Sequence, residues 1–426
     1  MEEKKREKAI ITGLCTGDEK KFEYSMYELK ELAKACDFEV VGEAVQRAEA
    51  VTKAFYIGSG KVEEIGEMAR ALKADIVIFD NQLSPMQLRN LHDAIELPIM
   101  DRTTLILEIF SRRAGTRESK LQVQTAALKY ALPRLAGLHD SLSRQGGASG
   151  ALSNKGSGEK QIELDRRHIE AKLSALRSEL ERMATGRRVQ RARRKKNPMP
   201  IVGLVGYTNA GKSSIMNGMT DLIGAPDEKH VFEENMLFAT LETSVRRMEI
   251  ADGKSFLLSD TVGFIDELPH GLIEAFKSTL EEICDADLLL HVIDCADERF
   301  RERIEVTNRT LAELGAGDIP VLYIYNKADK RENCMYPTAG PAGIYICAKE
   351  RESIEFLTKQ ICDRLFGDRR LCELLIPYDK GSVLNLLNSE AQVIDTKYEE
   401  SGTRVKAYLG EVVRGRCAEY IVDEEV

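Results

Sequence analysis

The chain has 426 residues, 43% of them hydrophobic and 31% charged, with a net charge of −9. That is more chain than one core holds, so two to four domains in a water-soluble globular balance are expected, and the acidic total excludes coating nucleic acid by overall basicity. The charged start "MEEKKREKAI", the lack of any apolar run of spanning length and nine scattered cysteines without Cys-x-x-Cys spacing predict no signal peptide, membrane helix, zinc site or disulfide framework, and suit a reducing cytoplasmic setting.

The first elements alternate in type. "AIITGL" and "FEVVGEAV" are short β-rich runs, and "DIVIFD" is a continuous apolar run of the kind that forms a buried parallel strand. Ser84 and Pro85 then open a helix, as cap and first-turn residue. "GSGK" at 58–61 lacks the full glycine spacing and the following Ser or Thr of a phosphate loop, so it is taken as a turn entering a helix. Residues 1–110 are expected to form an N-terminal α/β domain.

The segment 111–196 is helical in pattern. "KLQVQTAALKYALPRLAGL" precedes a Gly-rich stretch, and beyond it Ile169, Leu173, Leu176, Leu180 and Met183 form one apolar stripe. A helical hairpin with its tip at 146–158 is expected; a linker between unrelated helices is the plainer alternative. Seven of the ten residues from Arg187 to Lys196 are basic, which suits either a solvated helix end or contact with phosphates.

From 197 to 370 longer apolar strands return: "IVGLV", "SFLLSD", "DLLLHVID", "VLYIYN" and "GIYICA", most of them separated by helical patterns, which predicts a doubly wound sheet. Residues 371–426 read as strand, helix and a hairpin near Ser401-Gly402, a small α+β unit.

The motifs sit at strand ends. "GYTNAGKS", Gly206 to Ser213, follows a strand and precedes a helix, the context in which glycines let backbone N–H groups curl around phosphates at a helix N-terminus. Its candidate nucleotide contacts are Gly206, Asn209, Ala210, Gly211, Lys212, Ser213 and Ser214, with Lys212 bridging phosphates as a point charge and Ser213 offering a hard oxygen to Mg²⁺. "DTVG" ends the next catalytic strand. There Asp260 can hold Mg²⁺ through water, and the Gly263 N–H can meet a γ-phosphate. In "NKAD", Asp329 offers two acceptor oxygens to guanine N1–H and the exocyclic amine, Asn326 can tie the loop and approach N7, and Lys327 can cover the base. "CAK", Cys347 to Lys349, follows the fifth strand and places the Ala348 N–H toward guanine O6. Lys212, Thr240 and Gly263 are the catalytic candidates. Thr240 is a switch threonine and second Mg²⁺ ligand, although Thr243 and Ser244 lie close by and a plain strand threonine is the alternative. Phe264 stands where many GTPases place a water-orienting glutamine.

These motifs resemble the translation-factor-related class of P-loop GTPases. With "YIGSGKVEEI", "LSPMQLRNL", "DRTTLILEIFSRRAGTRESKLQVQ", "RQGG", "LDRRHIE", "LFATL" and "DTVGFI", the chain resembles the HflX family of ribosome-associated GTPases. The implied fold is α/β: a P-loop GTPase doubly wound sheet, a small α/β domain with a projecting hairpin before it and a small α+β domain after it. The resemblance implies a monomer that turns over GTP to GDP with Mg²⁺, stimulated by ribosomes. It further implies binding to the large ribosomal subunit and intact ribosomes, with rRNA contact through the tip 146–158, and dissociation of stalled ribosomes; the basic run 187–196, read from its charge, is expected as a second rRNA contact. Alternatives are an assembly chaperone of the large subunit and a protein-binding switch. A cytoplasmic location compatible with peripheral membrane association goes with it. The chain departs from the family where the usual "GGGIGTRGPGE" reads "GGASGALSNKGSGE", where Glu242 and Thr243 replace a common Asp-Pro, and where Cys347 replaces a serine.

Overall fold

Apolar runs and capped amphipathic segments set the order of elements. The computed structural model describes residues 6–145, 155–194, 199–223, 244–250, 254–260, 263–264, 283–367 and 369–425. They divide into two compact units, the first running to Arg182 and the second beginning at Met183.

In the first unit, strands β1 (Lys8–Cys15), β2 (Glu39–Arg47), β3 (Ile76–Phe79) and β4 (Ile99–Asp101) form a parallel sheet in the order β2-β1-β3-β4. All of β3 is buried, which is why its sequence is uninterrupted by polar residues. β4 has three residues, too few for a periodic signal.

Helices α1 (Glu19–Ala35), α2 (Ser59–Leu72), α3 (Pro85–Ile95) and α4 (Arg102–Arg113) connect or flank these strands. Gly58 caps α2, so "GSGK" does enter a helix. Ser84 closes a reciprocal box with Gln87: the Gln87 N–H donates to Ser84 Oγ at 3.3 Å, and the Ser84 N–H donates to Gln87 Oε1 at 2.9 Å. Asp101 caps α4 through the Thr104 N–H at 2.9 Å and also accepts from Tyr130 Oη at 2.6 Å and from Arg134. Tyr130 and Arg134 lie on α5 (Arg117–Gln145), so one buried carboxylate ties the long helix to the sheet. Burial raises the Asp101 pKa, but Arg134 and the hydrogen bonds outweigh it and leave the carboxyl below its usual range.

Helix α6 (Lys155–Arg194) carries the predicted stripe: Leu173 and Leu176 are buried, Ile169, Leu180 and Met183 half-buried, and Arg117 of α5 pairs with Glu179. Residues 146–154 of the expected tip lie outside the described residues. Residues 155–158 are helical rather than loop, because the backbone of α6 continues through both glycines.

The second unit holds a seven-stranded sheet in the order β10-β11-β9-β8-β5-β7-β6. Its parallel members are β11 (Gly343–Tyr345), β9 (Val321–Asn326), β8 (Leu288–Asp294), β5 (Ile201–Gly206) and β7 (Ser255–Asp260). The antiparallel edges β10 (Thr338–Gly340) and β6 (Ser244–Glu249) were not foreseen. Helices α7 (Lys212–Ile223), α8 (Phe300–Leu314) and α9 (Arg351–Phe366) accompany it, and Leu204, Met216, Phe256, Leu290, Ile324 and Leu357 are buried in one core. The last sheet runs β13-β14-β12-β15, formed by β12 (Arg370–Ile376), β13 (Gln392–Glu399), β14 (Gly402–Leu409) and β15 (Ile421–Glu425). All its pairings are antiparallel. α10 (Gly381–Glu390) and α11 (Glu411–Cys417) belong to the same region, so the hairpin at Ser401-Gly402 is present and a further helix and strand follow it.

Candidate nucleotide site

Parallel strands gather the candidate residues at their carboxyl ends, where open α/β sheets form their crevices. β5 ends at Gly206 with φ +145°, and a Cβ there would lie 2.2 Å from the Val292 carbonyl oxygen. Gly211 has φ +101°, and its Cβ would fall 2.1 Å from Asn326 Nδ2. Both positions admit only glycine. Between them Asn209, without that freedom, takes φ 60°.

Lys212 opens α7 and is buried; its Nζ donates to the Gly206 and Tyr207 carbonyls at 3.1 and 3.0 Å, lying across the loop. Burial pulls its pKa down to about 8, against the opposing pull of Asp260. Ser213 Oγ donates to Asp260 Oδ2 at 3.2 Å, which sets two hard oxygens side by side. Ala210 is buried, and Ser214 is half-buried on α7. Thr240 lies outside the described residues.

The Asp-x-x-Gly segment is laced to this loop. A Cβ on Gly263 would meet Thr208 Cα at 2.9 Å and Lys212 Nζ at 3.0 Å, so the glycine allows a close approach. The Phe264 N–H donates to the Gly206 carbonyl at 3.1 Å, and the Thr208 N–H donates to the Phe264 carbonyl at 2.8 Å. The Phe264 ring is 2% exposed, so it is packed inward and away from water.

Asn326 ends β9 and is 2% exposed; its Nδ2 donates to the Ala210 carbonyl at 2.8 Å. The Ala348 N–H, expected toward guanine O6, donates instead to Asn326 Oδ1 at 2.9 Å, so a base would have to share that donor. Asp329 is exposed and hydrogen-bonded to the Cys347 thiol. Burial raises the Cys347 pKa, a hydrogen bond with the Lys349 backbone opposes that, and the Asp329 bond adds to the rise. Lys349 is exposed. Lys327, with φ 61°, donates from Nζ to the Asn209 carbonyl at 2.7 Å and to Asp294 Oδ2 at 2.8 Å.

Several neighbours escaped the sequence reading. Asp294 ends β8 directly opposite Asn326 in register, and an acid closing the apolar run "DLLLHVID" was the available signal. Arg303 lies 4.4 Å over the Tyr207 ring, and no local spacing announces that contact. His291, 1% exposed on β8, has its pKa pulled down to about 4, first by burial and then by the positive charge of Lys212.

A phosphate loop, an Asp-x-x-Gly segment and an Asn-Lys-x-Asp loop at the carboxyl ends of the parallel strands of one sheet define a P-loop GTPase. Family profiles match in chain order: "GTP-binding GTPase N-terminal" over residues 23–111, "GTP-binding GTPase Middle Region" over 113–194 and "50S ribosome-binding GTPase" over 201–327. The chain is 42% identical to the GTPase HflX of Caldanaerobacter subterraneus subsp. tengcongensis, covering 98% of this chain and 94% of that one. It is 37% identical to the GTPase HflX of Escherichia coli, covering 93% and 92%. The chain belongs to the GTPase HflX family. Among solved structures it is similar to a GTP-binding protein from Sulfolobus solfataricus in complex with GDP, at 23% identity, with 83% of this chain and 99% of that one covered and a TM-score of 0.45.

Proposed function

We propose that this GTPase binds the large ribosomal subunit and intact ribosomes, dissociates stalled ribosomes, and uses GTP hydrolysis to control its release. The burial of Phe264 carries the reading. A packed phenyl ring can neither accept from nor donate to an attacking water, and the backbone of this residue is already committed to the P-loop. Hydrolysis by the isolated chain is then slow, and a partner must complete the geometry. The description of the profile over residues 201–327 as a 50S ribosome-binding GTPase supports the choice of partner.

In this reading the backbone N–H groups from Asn209 to Ser214 cradle the phosphates, and Lys212 turns its ammonium from the loop carbonyls toward the β- and γ-phosphates. Gly263 offers its N–H to the γ-phosphate, and Thr240 closes over it. Asp329 selects guanine, Asn326 ties the base loop to the P-loop, and Lys327, Cys347, Ala348 and Lys349 line the base. The paired oxygens of Ser213 and Asp260 fit Mg²⁺, with Ser213 and Thr240 as direct ligands and Asp260 acting through water. When bound, the ion would neutralise charge on the β- and γ-oxygens.

The working unit is a monomer divided at 1–110, 111–196, 197–370 and 371–426, with rRNA reached through 146–158 and the basic run 187–196. Among the described residues no helix is long and apolar enough to cross a membrane, and a cytoplasmic location is proposed.

The test is GTP turnover with and without purified large subunits, together with sedimentation of intact ribosomes. Stimulation on the order of 10³-fold or more, with conversion of ribosomes to subunits, is expected. Equal turnover in both conditions would refute ribosomal activation.

A further inference from the structure

The turn between β8 and α8 holds two carboxylates that divide their oxygens in the same way. Asp294 uses Oδ1 to accept from the Ala296 N–H at 3.1 Å and Oδ2 to hold Lys327 Nζ at 2.8 Å. Asp297 uses Oδ1 to accept from the Arg299 N–H at 2.8 Å and Oδ2 to hold an Arg303 guanidinium nitrogen at 2.6 Å. Each carboxylate therefore secures its own turn with one oxygen and a cation with the other.

Both cations then meet the P-loop, on either side of Thr208. Lys327 Nζ donates to the Asn209 carbonyl at 2.7 Å, and the Arg303 guanidinium lies 4.4 Å over the Tyr207 ring. The four charged side chains are 14–19% exposed, so water screens these pairs less than it would on an open surface. The loop has reason to need support. Asn209 holds φ 60° without a glycine's freedom, and Tyr207 is 4% exposed.

We propose that Asp294 and Asp297 are positioning residues that act through Lys327 and Arg303 to brace the P-loop in its phosphate-receiving shape, and so set how long the nucleotide stays bound. The inference rests on reading this loop as the GTP site. Neither aspartate is placed against a nucleotide, and neither belongs to the three motifs. Their effect should therefore appear in nucleotide release and KM, not in kcat at saturating GTP.

The experiment is stopped-flow release of fluorescent mant-GDP from the full chain, for the wild type, Asp294→Asn and Asp297→Asn, with thermal melting of the nucleotide-free proteins as the folding check. Each variant should release mant-GDP ~10–100-fold faster, as loss of a shielded charge-assisted contact predicts, with KM raised and kcat unchanged. Asp294→Asn combined with Lys327→Met should add little to Lys327→Met alone, because both changes break one connection. Combined with Arg303→Met it should add fully.

Release within about twofold of wild type from folded variants, or full additivity of the Asp294 and Lys327 changes, would overturn the brace. If an Asn variant fails to fold, Asp294→Ser and Asp297→Ser, whose hydroxyls can keep the turn bonds, are read for the same two outcomes. Failure of the wild-type chain to retain mant-GDP would overturn the nucleotide reading itself, and the brace with it.

Discussion

Asp329 is exposed and, under the proposed function, reads the base with its acceptor oxygens, whereas His291 is buried and uncharged. The Asp329 carboxylate is an acceptor only, which matches the two donors on guanine's edge. Asp329→Asn replaces one acceptor with an N–H, which suits the carbonyl that xanthine carries in place of that amine. The variant should therefore favour xanthine nucleotides in competition assays, and continued preference for guanine would place base reading elsewhere.

His291 is held neutral in the core. Its folded pKa of about 4 lies below the ordinary 6.5, so the unfolded chain takes up the proton first as pH falls. Stability from this group is complete above about pH 6.5 and declines as pH falls toward 4, by about 3 kcal/mol in all. Denaturant unfolding of His291→Phe should show that much less acid sensitivity between pH 7 and 4 than the wild type. Equal slopes would mean that other groups dominate. The state of His291 was not legible: it sits in an apolar run, and only its packing shows that it stays uncharged.

Elements were legible where local pattern and packing agree. The stripe on α6 predicted its buried face, and Leu173 and Leu176 are the residues that pack most deeply on it. Leu173→Ala should destabilise the first unit by ~2–4 kcal/mol in chemical denaturation, because truncation loses transfer energy and leaves a cavity. A cost under about 0.5 kcal/mol would mark α6 as unpacked there. The edge strands β6 and β10 and the short β4 were not legible. Such strands owe their state to a neighbour's open hydrogen bonds, not to a pattern of their own. The Ser84 box was half legible: serine and proline announced the start of α3, and the Gln87 return bond needed the folded turn.

For the whole molecule, an acidic total stands beside one basic run, 187–196, which the proposed function assigns to rRNA contact. Replacing its seven basic residues with glutamine should weaken co-sedimentation with large subunits and flatten its salt dependence, leaving mant-GDP affinity unchanged. An unaltered salt slope would make the run a solvated helix end. The nucleotide motifs could be read from the chain because their chemistry is local: a phosphate loop needs glycines, lysine and serine at fixed spacing between a strand and a helix. Phe264 against the P-loop, Arg303 over Tyr207, and Asp294 with Lys327 and Asn209 could not. Those residues lie 33 to 118 positions apart along the chain wherever a bond spans them to Lys327. The register of parallel strands brings them together, and register is set by the packing of the whole sheet, which no local spacing encodes.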